Sequence, residues 1–246
     1  MKAWIPAAVC AALAAGGTGW LTFGTSVDRQ IATYATPLQG RMRSQRHNAE
    51  LCLKRLNGTI IPPHSVFSFN KVVGSWSRDQ GYRKAPVSYN GQLISSWGGG
   101  VCQTSTTLYN VALLSGMVIL ERHPHRFSPS YVPPGRDAAV AFSSVDLRFV
   151  NPYEFPVRIE GGIEADRLML SLWGSGKSVG VRLSQDIQEV KTPREYAIHG
   201  GTSGYARIRN TGKTGYDVVT WRLMDGRKEL VSQDSYPAMQ RIVEYR

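Results

Sequence analysis

The segment Gly98-Gly99-Gly100-Val101-Cys102-Gln103-Thr104-Ser105-Thr106-Thr107-Leu108-Tyr109-Asn110 decides how the rest of this chain is read. Three glycines let the backbone turn sharply and come close to a ligand. The hydroxyl residues behind them are good N-caps. A helix is expected from Thr104 to about Ser115, where Leu108, Tyr109, Val111, Ala112, Leu113 and Leu114 make it apolar nearly all round. Such a helix belongs in a core. Cys102 then stands at or just before a helix N-terminus, whose partial positive charge favours thiolate over thiol. The N–H groups of Cys102 and Gln103 and the Gln103 side chain are candidates to receive an oxyanion, with Gly99 and Gly100 beside the substrate. A phosphate loop also joins a Gly-rich turn to a helix, but no Gly-Lys-Ser/Thr follows here.

Upstream, Ala49, Cys52, Leu53 and Leu56 recur at helical spacing and predict a helix from about Ser44 to Asn57, stopped by Gly58. Cys52 falls on its buried face. From Thr59 to Trp97, short apolar runs such as Val66-Phe67-Ser68-Phe69 and Lys71-Val72-Val73-Gly74 read as strands and loops. Beyond Gly116 the pattern is mostly β. Asp146 to Phe149 and Pro156 to Ile159 read as strands joined across Asn151-Pro152, and Arg167 to Trp173 and Val179 to Leu183 read as further strands. Asp217 to Leu223 and Glu229 to Ser232 form a hairpin about Asp225-Gly226.

The other end of the chain bears on location. Lys2 is followed by a charge-free apolar stretch from Ala3 to about Gly24, an export signal or a spanning anchor with Trp4 and Trp20 at its interfaces. Either places the remainder outside the cytoplasmic membrane, which argues against nucleic acid as a partner. The expected class is α+β: an N-terminal membrane helix, a mixed domain with a buried helix on antiparallel sheet, and a small β appendage. The divisions are residues 1–25 for the anchor or signal, 26–43 for a polar tether, 44–184 for the main domain and 185–246 for the appendage. Lysine and arginine number 29 against 18 acidic residues, a formal charge of +11 that suits anionic wall polymers.

A nucleophilic cysteine needs a base, and Glu121-Arg122-His123-Pro124-His125-Arg126 is the densest supply. His123 and His125 are both candidates, Asp137 can orient a histidine, and Arg136 can grip a substrate carboxylate from a polar loop that also holds Tyr131. Two plainer readings stand beside this one. Cys102 with the two histidines matches zinc chemistry, although no fourth ligand is evident, and Cys52 with Cys102 can form a disulfide in an oxidising space. No cofactor is implied.

Asn70 through Gly74, Gly81-Tyr82, the Gly98 to Asn110 segment, Glu121 to His125 and Gly135-Arg136-Asp137-Ala138 together resemble the VanW domain family, over roughly residues 44 to 175. The resemblance implies an envelope protein associated with glycopeptide resistance. It further implies L,D-transpeptidase or L,D-carboxypeptidase chemistry on peptidoglycan stem peptides, with Cys102 forming the acyl-enzyme and His125 as the preferred base. The alternative is a non-catalytic envelope module that binds stems or a partner enzyme.

Overall fold

The computed structural model describes residues 28–89, 92–176, 179–199 and 205–245. The apolar stretch expected to reach a membrane lies outside the described residues, and among those described no helix is long and apolar enough to cross one.

The chain runs through strand β1 (Arg29–Pro37), helix α1 (Arg43–Leu56), β2 (Ile60–Ile61), β3 (Val66–Ser68), the short helix α2 (Phe69–Val73), β4 (Lys84–Tyr89) and β5 (Gln92–Trp97). Helix α3 (Val101–Leu114) follows, then β6 (Val118–Glu121), β7 (Arg148–Val150), β8 (Val157–Glu164) and β9 (Arg167–Gly174). The C-terminal part is β10 (Val181–Lys191), β11 (Glu195–His199), β12 (Ala206–Lys213), β13 (Gly215–Met224), β14 (Arg227–Tyr236) and β15 (Met239–Tyr245). The class is α+β, and every pairing among the described strands is antiparallel except β11 beside β15.

Helix α3 is the centre of the main domain, packed on β1 and β9 with α1 at its side. Leu108, Val111, Ala112 and Leu113 are fully buried, facing Leu168, Leu170 and Leu172 on the inward-pointing positions of β9. Burying each leucine or valine contributes roughly 1.5–3 kcal/mol. Cys52 is fully buried on α1, as its helical spacing predicts, and both it and Cys102 are free thiols, so the disulfide reading fails.

Several expectations are corrected. The segment read as a polar tether contains β1, which pairs along its length with β9. Its inward positions include Thr36, whose hydroxyl meets Thr107 Oγ1 at 2.9 Å, so hydrogen bonding there replaces the apolar alternation that marks a strand. The run Lys71 to Val73 lies in α2, not a strand, because Ser68 caps it by accepting the Lys71 N–H at 3.1 Å. The strands on either side of Asn151 do not pair with each other. Strand β7 lies between β3 and β6, whereas β8 joins the sheet ordered β1-β9-β8-β2. Buried Asn151 makes the switch, its amide nitrogen donating to the carbonyls of Ile61, Pro62 and Phe155.

The hairpin about Asp225-Gly226 is present, with both residues at positive φ (50° and 75°), the geometry a two-residue connection needs. The C-terminal strands form two three-stranded sheets, β10-β13-β14 and β11-β15-β12. Strand β10 runs straight through the boundary expected at residue 185.

Candidate active site

The start of α3 is set by close packing. Gly100 is its N-cap at φ 112°, and a Cβ there would fall 2.3 Å from the Gln45 carbonyl oxygen. A Cβ on Gly99 would meet the Pro86 carbonyl and Ala85. The glycines therefore let α3 begin against α1 and β4, which no side chain would allow. Cys102 sits in the first turn, partly exposed. The N–H groups of Val101 and Gln103 are bonded to the carbonyls of Gly98 and Gly100, while that of Cys102 has no acceptor among the described residues.

The hydroxyl residues expected to cap α3 do something else. They are buried and fasten the segment that follows the second polar loop. Ser105 Oγ donates to the Ala138 carbonyl at 2.7 Å, Thr106 Oγ1 accepts the Ala138 N–H at 3.0 Å, and Asn110 Nδ2 donates to the Arg136 carbonyl at 2.8 Å. Asp137 is thereby fixed between two clamped residues.

Its carboxylate, fully buried, accepts four hydrogen bonds: from the His125 N–H at 2.6 Å, His125 Nδ1 at 2.6 Å, Arg122 Nη2 at 3.0 Å and the Tyr236 hydroxyl at 2.5 Å. Holding Nδ1 leaves Nε2 as the open nitrogen of the imidazole, near enough to the Cys102 sulfur for the two groups to act on each other electrostatically, while the sulfur itself donates to the Val140 carbonyl at 3.4 Å. The order sulfur, imidazole, carboxylate is that of a nucleophile, a base and an orienting group.

The electrostatics are those of an ion pair. Burial raises the Cys102 thiol, but the neighbouring His125 outweighs it and the thiol ends below its ordinary value. Burial lowers His125, yet Asp137 and Cys102 reverse this and push it up to about 10. Asp137 resists the upward push of burial through His125 and Arg122, and lies below the usual carboxylate range. Both shifts run toward thiolate and imidazolium, the direction a nucleophile and its base require.

Cys102 and His125 line a cleft of about 890 Å³ between the main domain and the last strands. One wall includes Gly100, Phe127 and Tyr131, and the other Lys213, Met239 and Ile242. The sequence profile of the family described as "VanW like protein" matches residues 44–173, more than half of the chain.

The chain belongs to the VanW family.

Among relatives, the uncharacterized protein YoaR of Bacillus subtilis is 37% identical over 147 residues, covering 60% of this chain and 48% of that protein. The vancomycin B-type resistance protein VanW of Enterococcus faecalis is 29% identical over 127 residues, covering 50% of this chain and 46% of that protein. The chain thus spans about half the length of each. Two solved G5 domains also match. HP0197-G5 has a TM-score of 0.18 and 17% identity, covering 28% of this chain and 100% of that one. The IgA1 protease G5 domain has a TM-score of 0.20 and 21% identity, covering 29% and 95%.

Within this VanW domain, Cys102, His125 and Asp137 come together, while other candidates do not. His123 is instead engaged with Glu121, its Nε2 3.2 Å from Oε1, and among the described residues no three His, Cys, Asp or Glu side chains gather as a metal set. Arg136 is buried, donating to Asn110 Oδ1 at 2.5 Å and stacking 5.3 Å from the Tyr34 ring centroid, so it braces the Asp137 loop and does not reach the cleft. The Gln103 amide nitrogen is committed to the Pro37 carbonyl at 2.8 Å and Thr36 at 3.0 Å, and its backbone N–H to Gly100, which leaves the Cys102 N–H as the candidate for an oxyanion donor among these three. Tyr131 is in place at the cleft, its hydroxyl 3.5 Å from the Cys102 carbonyl. Gly100 lines the cleft, and Gly99 acts through packing.

The sequence reading missed Arg122, Tyr236 and Asp234. Arg122 bridges Asp137 and Asp234, the latter at 2.5 Å, with all three side chains nearly or fully buried. A signal for Arg122 was available, since it immediately precedes His123 in the run Glu121 to Arg126. Tyr236 and Asp234 lie on a strand whose local pattern carries no mark of the site.

Proposed function

We propose that this VanW-family protein is a cysteine-dependent acyl transferase of the cell envelope, acting on peptidoglycan stem peptides as an L,D-transpeptidase or L,D-carboxypeptidase. The observation that carries the reading is the Cys102, His125, Asp137 line opening into a cleft large enough for a peptide. The naming of one relative for vancomycin resistance supports action on the wall and a link to glycopeptide resistance. The apolar stretch after Lys2 supports export, with the described domains outside the membrane.

In the reaction, the Cys102 thiolate attacks the carbonyl carbon preceding the terminal D-alanine of a donor stem. The Cys102 N–H receives the developing oxyanion. As the C–N bond breaks, the His125 imidazolium gives its proton to the departing amine, and a thioester joins the stem to Cys102. An acceptor amine or water attacks the thioester, His125 takes the proton, and the thiolate leaves. Asp137 holds the ring in the tautomer and orientation both steps need.

The test is intact-mass analysis after incubation with a tetrapeptide stem. The expected result is a tripeptidyl adduct on the wild type with release of D-alanine, and neither in Cys102→Ala. Absence of adduct and of D-alanine from the wild type would leave a stem-binding module in place of an enzyme.

A further inference from the structure

Besides His125, the cleft holding Cys102 is lined by three basic side chains, Arg41, Arg209 and Lys213, and by no aspartate or glutamate among the described residues. Arg209 is neutralised by an ion pair with Glu244. The other two have no carboxylate partner among the described residues. Arg41, between β1 and α1, stacks 4.9 Å from the centroid of Tyr131, the residue whose hydroxyl lies 3.5 Å from the Cys102 carbonyl. Lys213 closes β12 on the opposite wall, and it is half-buried. Burial and the Arg41 charge push the Lys213 ammonium below its ordinary value against a weaker opposing pull from buried Asp137, so Arg41 and Lys213 repel each other. Like charges brought together at a partly desolvated opening lower the stability of the empty protein, and an anion between them removes that cost.

We propose that Arg41 and Lys213 form a carboxylate subsite for the acyl donor, gripping the free C-terminal carboxylate of the D-amino acid that leaves. The assignment rests on the acyl-transfer reading for which end of the peptide lies there. A one-residue leaving group places its carboxylate only a few bonds from the attacked carbonyl, within the span from Cys102 across Tyr131 to Arg41. An amine or an internal peptide bond in that position would leave both cations unanswered, so the subsite selects donors that end at this residue. Arg41 and Lys213 both lie outside residues 44–173, the part matched by the family profile.

Calorimetry on the full-length Cys102→Ala protein tests this without relying on the nucleophile. The ligands are a tetrapeptide stem ending in D-alanine and the same peptide as its C-terminal amide. The acid is expected to bind more tightly by about tenfold or more, and the preference is expected to collapse in Arg41→Gln and in Lys213→Gln on the same background. Equal binding of acid and amide, no binding of either, or a preference that both substitutions leave intact would overturn the subsite. If acid and amide bind alike yet both weaken on substitution, the cations hold another carboxylate of the stem, and the assignment to the leaving end is wrong. Acylation of wild-type Cys102 is read separately, so failure of the chemistry and failure of the subsite give different results.

Discussion

The Tyr236 hydroxyl donates to Asp137 Oδ1 at 2.5 Å, on the carboxylate whose other oxygen holds His125. The two residues are 99 positions apart, one on β14 and one on a loop clamped by α3. The same hydroxyl accepts the Gly135 N–H at 3.1 Å, so the C-terminal sheet supports the site from behind. Tyr236→Phe removes these two bonds and the one accepted from Arg122 Nη2 at 3.3 Å while keeping the ring. It is expected to cost about 1–3 kcal/mol in urea denaturation, because a buried carboxylate and a buried N–H each lose a partner. A variant as stable as the wild type would show that the hydroxyl contributes nothing.

The ion pair makes the pH dependence specific. Thiolate and imidazolium coexist from the lowered Cys102 value up to about 10, where His125 loses its proton. Labelling of Cys102 by iodoacetamide is therefore expected to set in at lower pH than for an ordinary thiol and to fall as acid protonates the sulfur. In His125→Ala the thiol loses the main influence that opposes burial, and the onset of labelling moves to higher pH. Identical profiles for the two proteins would dispose of the pairing.

Asp137→Asn keeps the side-chain shape but removes the charge that raises His125. A loss of roughly 10²–10⁴ in kcat on a stem peptide is expected, the range typical of a disabled acid–base group. A loss of only a few-fold would confine Asp137 to a structural part.

Arg122→Met leaves Asp137 and Asp234 without their shared cation in a nearly solvent-free setting. Breaking a buried pair in this way costs about 3–5 kcal/mol. The check is a shift in the denaturation midpoint, with a second substitution, Asp234→Asn, recovering part of the loss if repulsion between the stranded carboxylates is the cause.

Cys52 is the built-in control. Burial drives its thiol well above the ordinary range, so it stays protonated and unlabelled in the native protein. Cys52→Ala is expected to cost about 1 kcal/mol of stability and to leave the Cys102 labelling rate unchanged. Slowed labelling would mean that α1 packing sets the position of the α3 start.

Much of this site was legible because its signals are local. The apolar surround of residues 108–114 announces a buried helix, and the glycines before it announce where that helix begins. A histidine and an aspartate in polar loops soon after it are the partners a thiolate at that point requires. Arg136 misled because an arginine beside a catalytic candidate has two uses, and only the position of Asn110 shows that this one is spent on bracing a loop. The strand β1 was missed for a related reason, since Thr36 satisfies itself through Gln103 and Thr107, whose places are set by another element.

What the sequence alone determined is a set of candidate groups: a cysteine at the start of a buried helix, two histidines and a carboxylate in the loops after it, and a second cysteine on the buried face of another helix. These follow from periodicity, backbone freedom and side-chain chemistry within short windows. Only the tertiary structure decided which histidine faces the sulfur, that Tyr236 and Arg122 hold the carboxylate, and that Arg41 and Lys213 confront each other over the cleft. Those relationships depend on strand register and on sheets joining residues many positions apart, and no local pattern records them.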